Sequence, residues 1–346
     1  MLAKVQKRGR TANDSPSFYS KSNKLLNHQL LCCLSITRLQ GYYIDASRHA
    51  DGNLTINNGL IIGLTIVALG TSAPELAVSS TAALQGSNEI ALSNVVGSNM
   101  FNLLVVLGAC ALFCKVPCGD DVLKRDFPFS ISNALLVLVL ASSSAVFAGN
   151  IFSHDMSSQA GEIGRIEGIV LIILFVIYII RLIKVAKNNK TEESDEELKP
   201  VWKCILLILV GIVLIVAGGQ AVVNSAKEIA RFFGMTETLI GLTVVALGTS
   251  LPELVTSVVA ARKNEVGLAV GNVIGSNIFN LMLILGTSAA LHPVAVNFAS
   301  FFDLIILILM SVVTYVFLLS KKELNRMEGI VMILIYVCQI VFAVVR

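Results

Sequence analysis

Apolar residues in this chain come in long runs rather than in narrow stripes, and many of the runs approach twenty residues with few charges. That is the length a helix needs to cross the hydrocarbon core of a bilayer. Read this way, the sequence predicts nine spanning helices. They are approximately Leu60 to Leu84, Ile90 to Phe113, Phe129 to Gly149, Ile163 to Leu182, Val201 to Val223, Leu239 to Ala261, Val266 to Ala290, Phe298 to Leu319 and Met327 to Val345. Connections are short, apart from a charged stretch of about twenty residues after the fourth span.

Composition agrees. Of 346 residues, 55% are hydrophobic and 14% charged, and mean hydropathy is +0.78. A water-soluble domain has too little interior to hide that much apolar surface, whereas lipid accepts it. The expected fold is an all-α polytopic membrane protein. Basic residues orient it. The alternating set of non-membrane segments comprising residues 1–59 and those near 115–128, 181–203, 262–263 and 320–326 carries 22 of the 26 Lys and Arg. Cytoplasmic loops are the ones enriched in these residues, so this set lies inside. A net charge of +3 gives no reason to expect nucleic acid. No GKS/T loop or strand-linked GxGxxG turn offers a seat for nucleotide hydrolysis.

Other features carry less. Cys110, Cys114 and Cys118 are spaced by four, which would put three thiols on one helix face. Pro117 interrupts that helix, and buried free cysteine is common, so no metal or disulfide role is assigned. The run TEESDEELK at 191–199 reads as a solvated linker rather than a regulatory calcium site.

The strongest feature is a repeat. Residues 62–108 align without a gap on 240–286, at a constant offset of 178, with 27 identities in 47 positions. IGLTIVALGTSAPEL is matched by IGLTVVALGTSLPEL, and NVVGSNMFNLLVVLG by NVIGSNIFNLMLILG. Equivalent helices are the first and sixth spans. Five spans separate them, an odd number, so the copies are expected to be inverted across the bilayer. That is the signature of secondary transporters, whose site lies between the repeats near the midplane.

Each copy sets a carboxylate, Glu75 or Glu253, inside an apolar span. An acidic group at the centre of a membrane helix costs roughly +2.5 to +3.5 kcal/mol on insertion scales, so it needs a counter-charge. Apart from Arg262 and Lys263 at a helix end, neither repeat contains Lys, Arg or His, which leaves a dissolved cation or a proton. The neighbours are oxygen donors: Thr71 and Thr249 lie one turn from the carboxylates, beside Ser72 and Ser250. Calcium takes six to eight such oxygens, and the lack of nitrogen and sulfur ligands disfavours zinc or copper. Pro74 and Pro252 have no N–H for the carbonyls of Gly70 and Gly248, which frees backbone oxygen near the carboxylates. The second helix of each pair carries Asn94, Gly97, Ser98, Asn99 and Asn102, repeated as Asn272, Gly275, Ser276, Asn277 and Asn280. Gly, Ser and Asn also serve plain interhelical packing, but two copies facing two buried Glu favour the site. Neither motif holds His or Cys, and no nucleophile–base pair is evident, so the chain is not read as an enzyme.

GTSAPE and GTSLPE with the paired GSNxFN segments closely resemble the alpha repeats of the calcium/cation antiporter superfamily, especially its bacterial-type sodium/calcium exchanger branch. The resemblance covers residues 60–346. It implies a secondary antiporter exchanging Ca2+ for Na+ by alternating access. The alternatives are H+/Ca2+ antiport on the same fold and an inactive truncated exchanger. It implies that Glu75 and Glu253 hold calcium and also sodium, with Ala68 and Ala246 lending backbone oxygen. Thr71, Ser72, Thr249, Ser250, Ser98 and Ser276 join them, and Asn102 and Asn280 take the central polar positions. Partners are then the two ions and the lipid, in a bacterial cell membrane. No cofactor, nucleic acid or obligate protein partner is implied. Two departures stand out. Many members carry Asp where this chain has Asn280. The family has ten spans in two inverted halves of about five helices, each alpha repeat preceded by a long gate-like helix. Val201 to Phe233 matches that helix in the second half, but residues 23–55 are too polar to be its counterpart. The expected organisation is an atypical basic N-terminus at 1–59, arising from a truncated or replaced first helix, a first half at 60–184, a charged linker at 185–200 and a second half at 201–346.

Overall fold

The computed structural model describes residues 59–85, 88–148, 159–188 and 246–345. Expectations for residues 1–58, the linker acids at 191–199, the span from Val201 and the gate-like stretch to Phe233 lie outside these. Gly59–Ile62, Gly63–Val67 and Ala68–Thr71 run on as α1, followed by α2 (Ala73–Leu84). Asn88–Phe101, Asn102–Val106 and Leu107–Phe113 make α3, and Val116–Pro117 is β1. Val122–Asp126 continues into Phe127–Ala148 as α4, then come β2 (Gln159–Ile163) and α5 (Arg165–Asn188). The second copy opens with α6 (Ala246–Thr249) and α7 (Leu251–Arg262), then α8 from Val266–Ile278, Phe279–Ile284 and Leu285–Leu291. The chain continues through β3 (Val294–Asn297), α9 (Phe298–Lys321), β4 (Glu323–Leu324) and α10 (Arg326–Val345).

Among the described residues six helices are long and apolar enough to span a membrane, or seven if the bent pair α1–α2 is one span. All coincide with predicted spans, and the molecule is an integral membrane protein. Several expectations need correction. The predicted span Leu60 to Leu84 is not one straight helix: α1 and α2 meet at Ser72 with a bend of 48°. The third span begins at Val122 rather than Phe129. Its charged entry turn stays helical because Arg125 closes an ion pair on Asp126 at 2.8 Å and Lys124 reaches Asp120 at 2.8 Å. Ile163, predicted to open the fourth span, ends β2 instead, with Gly164 separating strand from helix. Nor is the fold wholly helical. Two short antiparallel ribbons form, β1 with β4 and β2 with β3. Each joins segments that the Lys and Arg count had placed on the same side of the membrane. Cys110, Cys114 and Cys118 do not share a helix face, since α3 ends at Phe113 and Cys114 is extended.

Burial sorts the helices into centre and periphery. The span in α8 is 94% buried and that in α3 78%, whereas those in α4, α5, α9 and α10 are 22–33% buried. Outer helices turn residues such as Ile166, Ile173, Ile180, Leu334 and Val341 outward, where lipid takes the place of a protein core. The two copies exchange partners. α2 packs on the end of α8 and α7 on the end of α3, while α5 lies against α8 and α10 against α3. The last two crossings are glycine on glycine. A Cβ on Gly168 would stand 2.6 Å from the Gly286 carbonyl, and one on Gly329 2.7 Å from that of Gly108. Gly108 and Gly286 are repeat equivalents.

The ribbon of β1 and β4 is fastened by charge. Lys115 Nζ meets Glu323 Oε1 at 2.8 Å, and Asp120 takes Lys124 and Lys322 at 2.8 Å each. The two ammonium groups hold the Asp120 carboxyl down at about 2. Such a group stabilises the fold above its unfolded value near 4 and loses its effect as pH falls toward 2. The melting temperature of Asp120→Asn in detergent should therefore fall slightly below that of the parent at pH 7. The gap should stay constant down to about pH 4, close below it, and shrink with added salt.

A tighter constraint holds α1 on α8. A Cβ on Gly271 would lie 2.3 Å from the Leu60 carbonyl oxygen, and one on Gly63 2.5 Å from that of Leu268. Backbone cannot yield there without separating the helices. Gly271→Val should cost about 1–3 kcal/mol or more in thermal unfolding. Gly119→Ala, where a Cβ would meet nothing within 4 Å, should be neutral.

Candidate functional site

Both copies break at the same place. Ser72 leaves helical geometry with φ −84° and ψ 5°, and Ser250 with φ −91° and ψ 6°. Pro74 and Pro252 follow, each within the first two residues of the next helix. Proline lacks the N–H that would continue the ladder, yet its fixed φ suits a helix start. The break therefore ends one helix and begins another at the same residue. Glu75 and Glu253 fall in the first turns of α2 and α7, where the helix dipole favours negative charge. Both side chains are completely buried.

Hydrogen bonds cross between the copies in matched pairs. Ser72 Oγ donates to Glu253 Oε1 at 3.1 Å, and Ser250 Oγ to Glu75 Oε1 at 3.0 Å. Thr71 Oγ1 donates to Asn272 Oδ1 at 3.1 Å, and Thr249 Oγ1 to Asn94 Oδ1 at 3.5 Å. Asn94 and Asn272 in turn donate to Ser79 at 3.0 Å and Ser257 at 2.9 Å. Reciprocal exchange of this kind, residue i to j and j to i, is what a two-fold relation produces. Each carboxylate thus accepts from a serine of the opposite copy, and the two acids share one layer.

Glu75, Glu253, Thr71, Ser72, Thr249, Ser250, Asn102 and Asn280 are all buried. One set of cross-copy bonds joins the carboxylates to the serines and the threonines to Asn94 and Asn272, and a second set joins Asn102 to Asn277 and Asn280 to Asn99. Ser276 Oγ lies 3.5 Å from Thr71 Oγ1. Ser98 is buried on α3 one turn before Asn102. The Ala68 carbonyl accepts from Ser72 N at 3.0 Å and lies 3.4 Å from Thr71 Oγ1. Its oxygen therefore still closes the last turn of α1 rather than standing free. Ala246 opens α6 at the equivalent place.

What the layer offers is acceptor oxygen. Glu75 Oε2, Glu253 Oε2, Asn102 Oδ1, Asn280 Oδ1 and Ser98 Oγ are buried and have no hydrogen-bond partner among the described residues. Among the described residues no Lys, Arg or His pairs with either Glu. Leaving a buried polar group unpaired costs about 1–3 kcal/mol, more when it is charged. Five such atoms in two copies of one motif are an arrangement that a hard cation would complete, and two carboxylates supply the charge to match a divalent ion. Among the described residues no cluster of three or more His, Cys, Asp or Glu forms, in this layer or elsewhere, so the remaining donors here are amides and hydroxyls.

Two features were not legible as site elements in the sequence. Asn102 and Asn280 lie in π turns, Asn102–Val106 and Phe279–Ile284. Such turns often mark functional positions in helices. Asn99 and Asn277 hold those amides: Asn102 Nδ2 donates to Asn277 Oδ1 at 3.2 Å, and Asn280 Nδ2 to Asn99 Oδ1 at 2.9 Å. Their exact repetition at an offset of 178 was the signal available. Their role depends on a pairing between copies that spacing does not show.

Comparison with known proteins gives the family. The family described as sodium/calcium exchanger protein matches residues 35–184 and 203–345. The match begins upstream of Leu60, where the motif-based resemblance starts. CaxA of Alkalimonas amylolytica is 36% identical over 293 residues, 82% of this chain and 88% of that protein. The sodium/calcium exchanger MaX1 of Methanosarcina acetivorans is 33% identical over 339 residues, 90% of this chain and 96% of that one. The solved structure of the sodium–calcium exchanger NCX_Mj, soaked with Na+ and no Ca2+, superposes with a TM-score of 0.73 at 25% identity. It covers 92% of this chain and 99% of its own. On the extent of these matches the chain belongs to the sodium/calcium exchanger protein family, whose members are membrane transporters and not enzymes.

Proposed function

We propose that this protein is a secondary antiporter that exchanges Ca2+ for Na+ at the layer between Glu75 and Glu253. The observation that carries this reading is the set of buried oxygens on two carboxylates, two amides and a hydroxyl that, among the described residues, have neither a hydrogen-bond partner nor a protein cation beside them. Oxygen ligands of this kind suit calcium and sodium alike. One calcium, or monovalent ions in its place, neutralises the two acids, and the same atoms serve both, so the ions compete. The names of MaX1 and NCX_Mj, sodium/calcium exchangers, support the choice of ions.

Thr71, Ser72, Thr249, Ser250, Ser98, Ser276, Asn102 and Asn280 are the neutral donors of the site in this reading. The carbonyls of Ala68 and Ala246 serve a flanking sodium position. For Ala68 this requires the carbonyl to use its second lone pair, since the helix uses the first. The two copies act as inverted repeats, and the reciprocal bonds between them support that arrangement. Neutralisation by the ion removes the cost of carrying charge through the apolar centre, and the sodium gradient supplies the drive. The packed sets α1–α2–α3 and α6–α7–α8 stay together as a rigid core around the ion. The setting is the cell membrane of a bacterium, with the Lys-rich and Arg-rich segments inside.

The test is radiocalcium uptake into membrane vesicles loaded with sodium. Glu75→Gln and Glu253→Gln should each lower uptake at least tenfold while leaving the protein folded by gel filtration. Unchanged uptake in both variants would remove these residues from the pathway. Buried acids also accept protons, so uptake driven by a pH gradient and indifferent to sodium would instead assign H+/Ca2+ antiport.

A further inference from the structure

Asn102 and Asn280 each present one buried oxygen that accepts nothing from the described residues, and a chain of hydrogen bonds explains why it is the oxygen and not the NH2 that is left over. Asn99 Nδ2 donates to the backbone carbonyl of Asn277 at 3.3 Å, and Asn277 Nδ2 to that of Asn99 at 3.4 Å. A backbone carbonyl can only accept. It therefore fixes which end of the Asn99 amide faces it, and leaves Asn99 Oδ1 pointing the other way. That oxygen takes Asn280 Nδ2 at 2.9 Å. If the Asn280 amide were turned over, two acceptors would face each other. If Asn99 were turned over as well, its oxygen would face the Asn277 carbonyl. The polarity set by one main-chain oxygen thus passes through two amides and ends at Asn280 Oδ1. The mirror relay runs from the Asn99 carbonyl through Asn277 to Asn102 Nδ2 at 3.2 Å.

We propose that Asn99 and Asn277 are positioning residues for ion binding, each acting on the amide of the opposite copy: Asn99 aims Asn280, and Asn277 aims Asn102. This rests on the reading of the Glu75–Glu253 layer as the ion site. Neither residue touches the ion. Both are buried on the two most enclosed helices, where α3 crosses α8. The relay also sets the chemistry of the aimed positions. An ionised carboxylate at 280 would have no hydrogen to give Asn99 Oδ1, so the relay holds a neutral acceptor there and leaves the charge of the layer to the two glutamates.

The test is a set of double-mutant cycles on calcium affinity, measured by calorimetry with CaCl2 on the full-length protein in detergent. Asn99→Leu should weaken binding about 10–100-fold, the usual effect of removing an outer-shell partner. In an Asn280→Ala background, where no amide remains to be aimed, the same change should cost less than about threefold. In an Asn102→Ala background it should cost its full amount, because Asn277 and not Asn99 serves that side. The mirror cycle with Asn277→Leu should reverse the two backgrounds. A role confined to packing predicts equal losses in both and a parallel fall in melting temperature; that result overturns the proposal. If Asn99→Leu does not fold, Asn99→Ala removes the amide without added branching and carries the same cycle. Glu75→Gln is the reference. If it leaves calcium binding intact, the ion site itself is wrong. If it abolishes binding and the cycles are additive, only the relay is.

Discussion

Two fully buried carboxylates with no protein cation beside them among the described residues are the constraint around which the rest of this structure is arranged. Ionised acids in so apolar a place are tolerable only with a counter-charge and with donors to their remaining lone pairs. The fold supplies the donors from within. A serine from the opposite copy reaches each carboxylate, and the helix start at each proline break adds its dipole. Among the described residues it supplies no counter-charge, and the second oxygen of each Glu is left open, together with two amide oxygens and a hydroxyl. A core built for stability alone would have closed these atoms with hydrogen bonds or replaced them with apolar groups. That the carboxylate and amide oxygens stay open in both copies is what supports the proposal of a transported ion in this layer.

The second principle of the structure is exchange. Each acid is served by the other copy's serine, each amide by the other copy's asparagine, and each central helix by an outer helix from the opposite half of the chain. Glycine crossings make this possible. With no side chains at Gly63, Gly271, Gly108, Gly286, Gly168 and Gly329, backbones approach closely enough for side-chain hydrogen bonds to reach across. The charged ribbon of β1 and β4 and its counterpart of β2 and β3 fasten the same exchange at the two ends. A site shared in this way cannot be assembled by one repeat alone, which gives a physical reason for both copies to keep the same polar residues.

The identity of the two halves is incomplete where function could differ from packing. Ser276 lies beside Thr71, while Ser98, its equivalent, has no hydrogen-bond partner. Asn280 stands where the resemblance leads one to expect Asp. The neighbouring Asn99 supplies the reason in this chain, since its oxygen requires a donor and an amide has one.

Much of the fold was legible in sequence because its causes are local. A run of twenty apolar residues commits to a membrane helix wherever it lies. A proline three residues after Thr71 or Thr249 breaks the ladder by its own covalent structure, and Glu75 and Glu253 were conspicuous because a buried acid is costly in any context. The repeat was visible by counting alone. What sequence left undecided depended on pairing between distant residues. The entry turn of α4 is held from far along the chain, where Lys322 reaches Asp120 and Tyr315 Oη donates to the Leu123 carbonyl. Ile163 joins a strand because Val294 lies opposite it, and Asn99 matters because Asn280 stands 181 positions downstream. Composition and spacing determined that this chain crosses the membrane and carries two buried acids. Only the tertiary structure decided which of its oxygens remain open, because hydrogen bonds saturate, and which atoms are left over is known only once every partner has been placed.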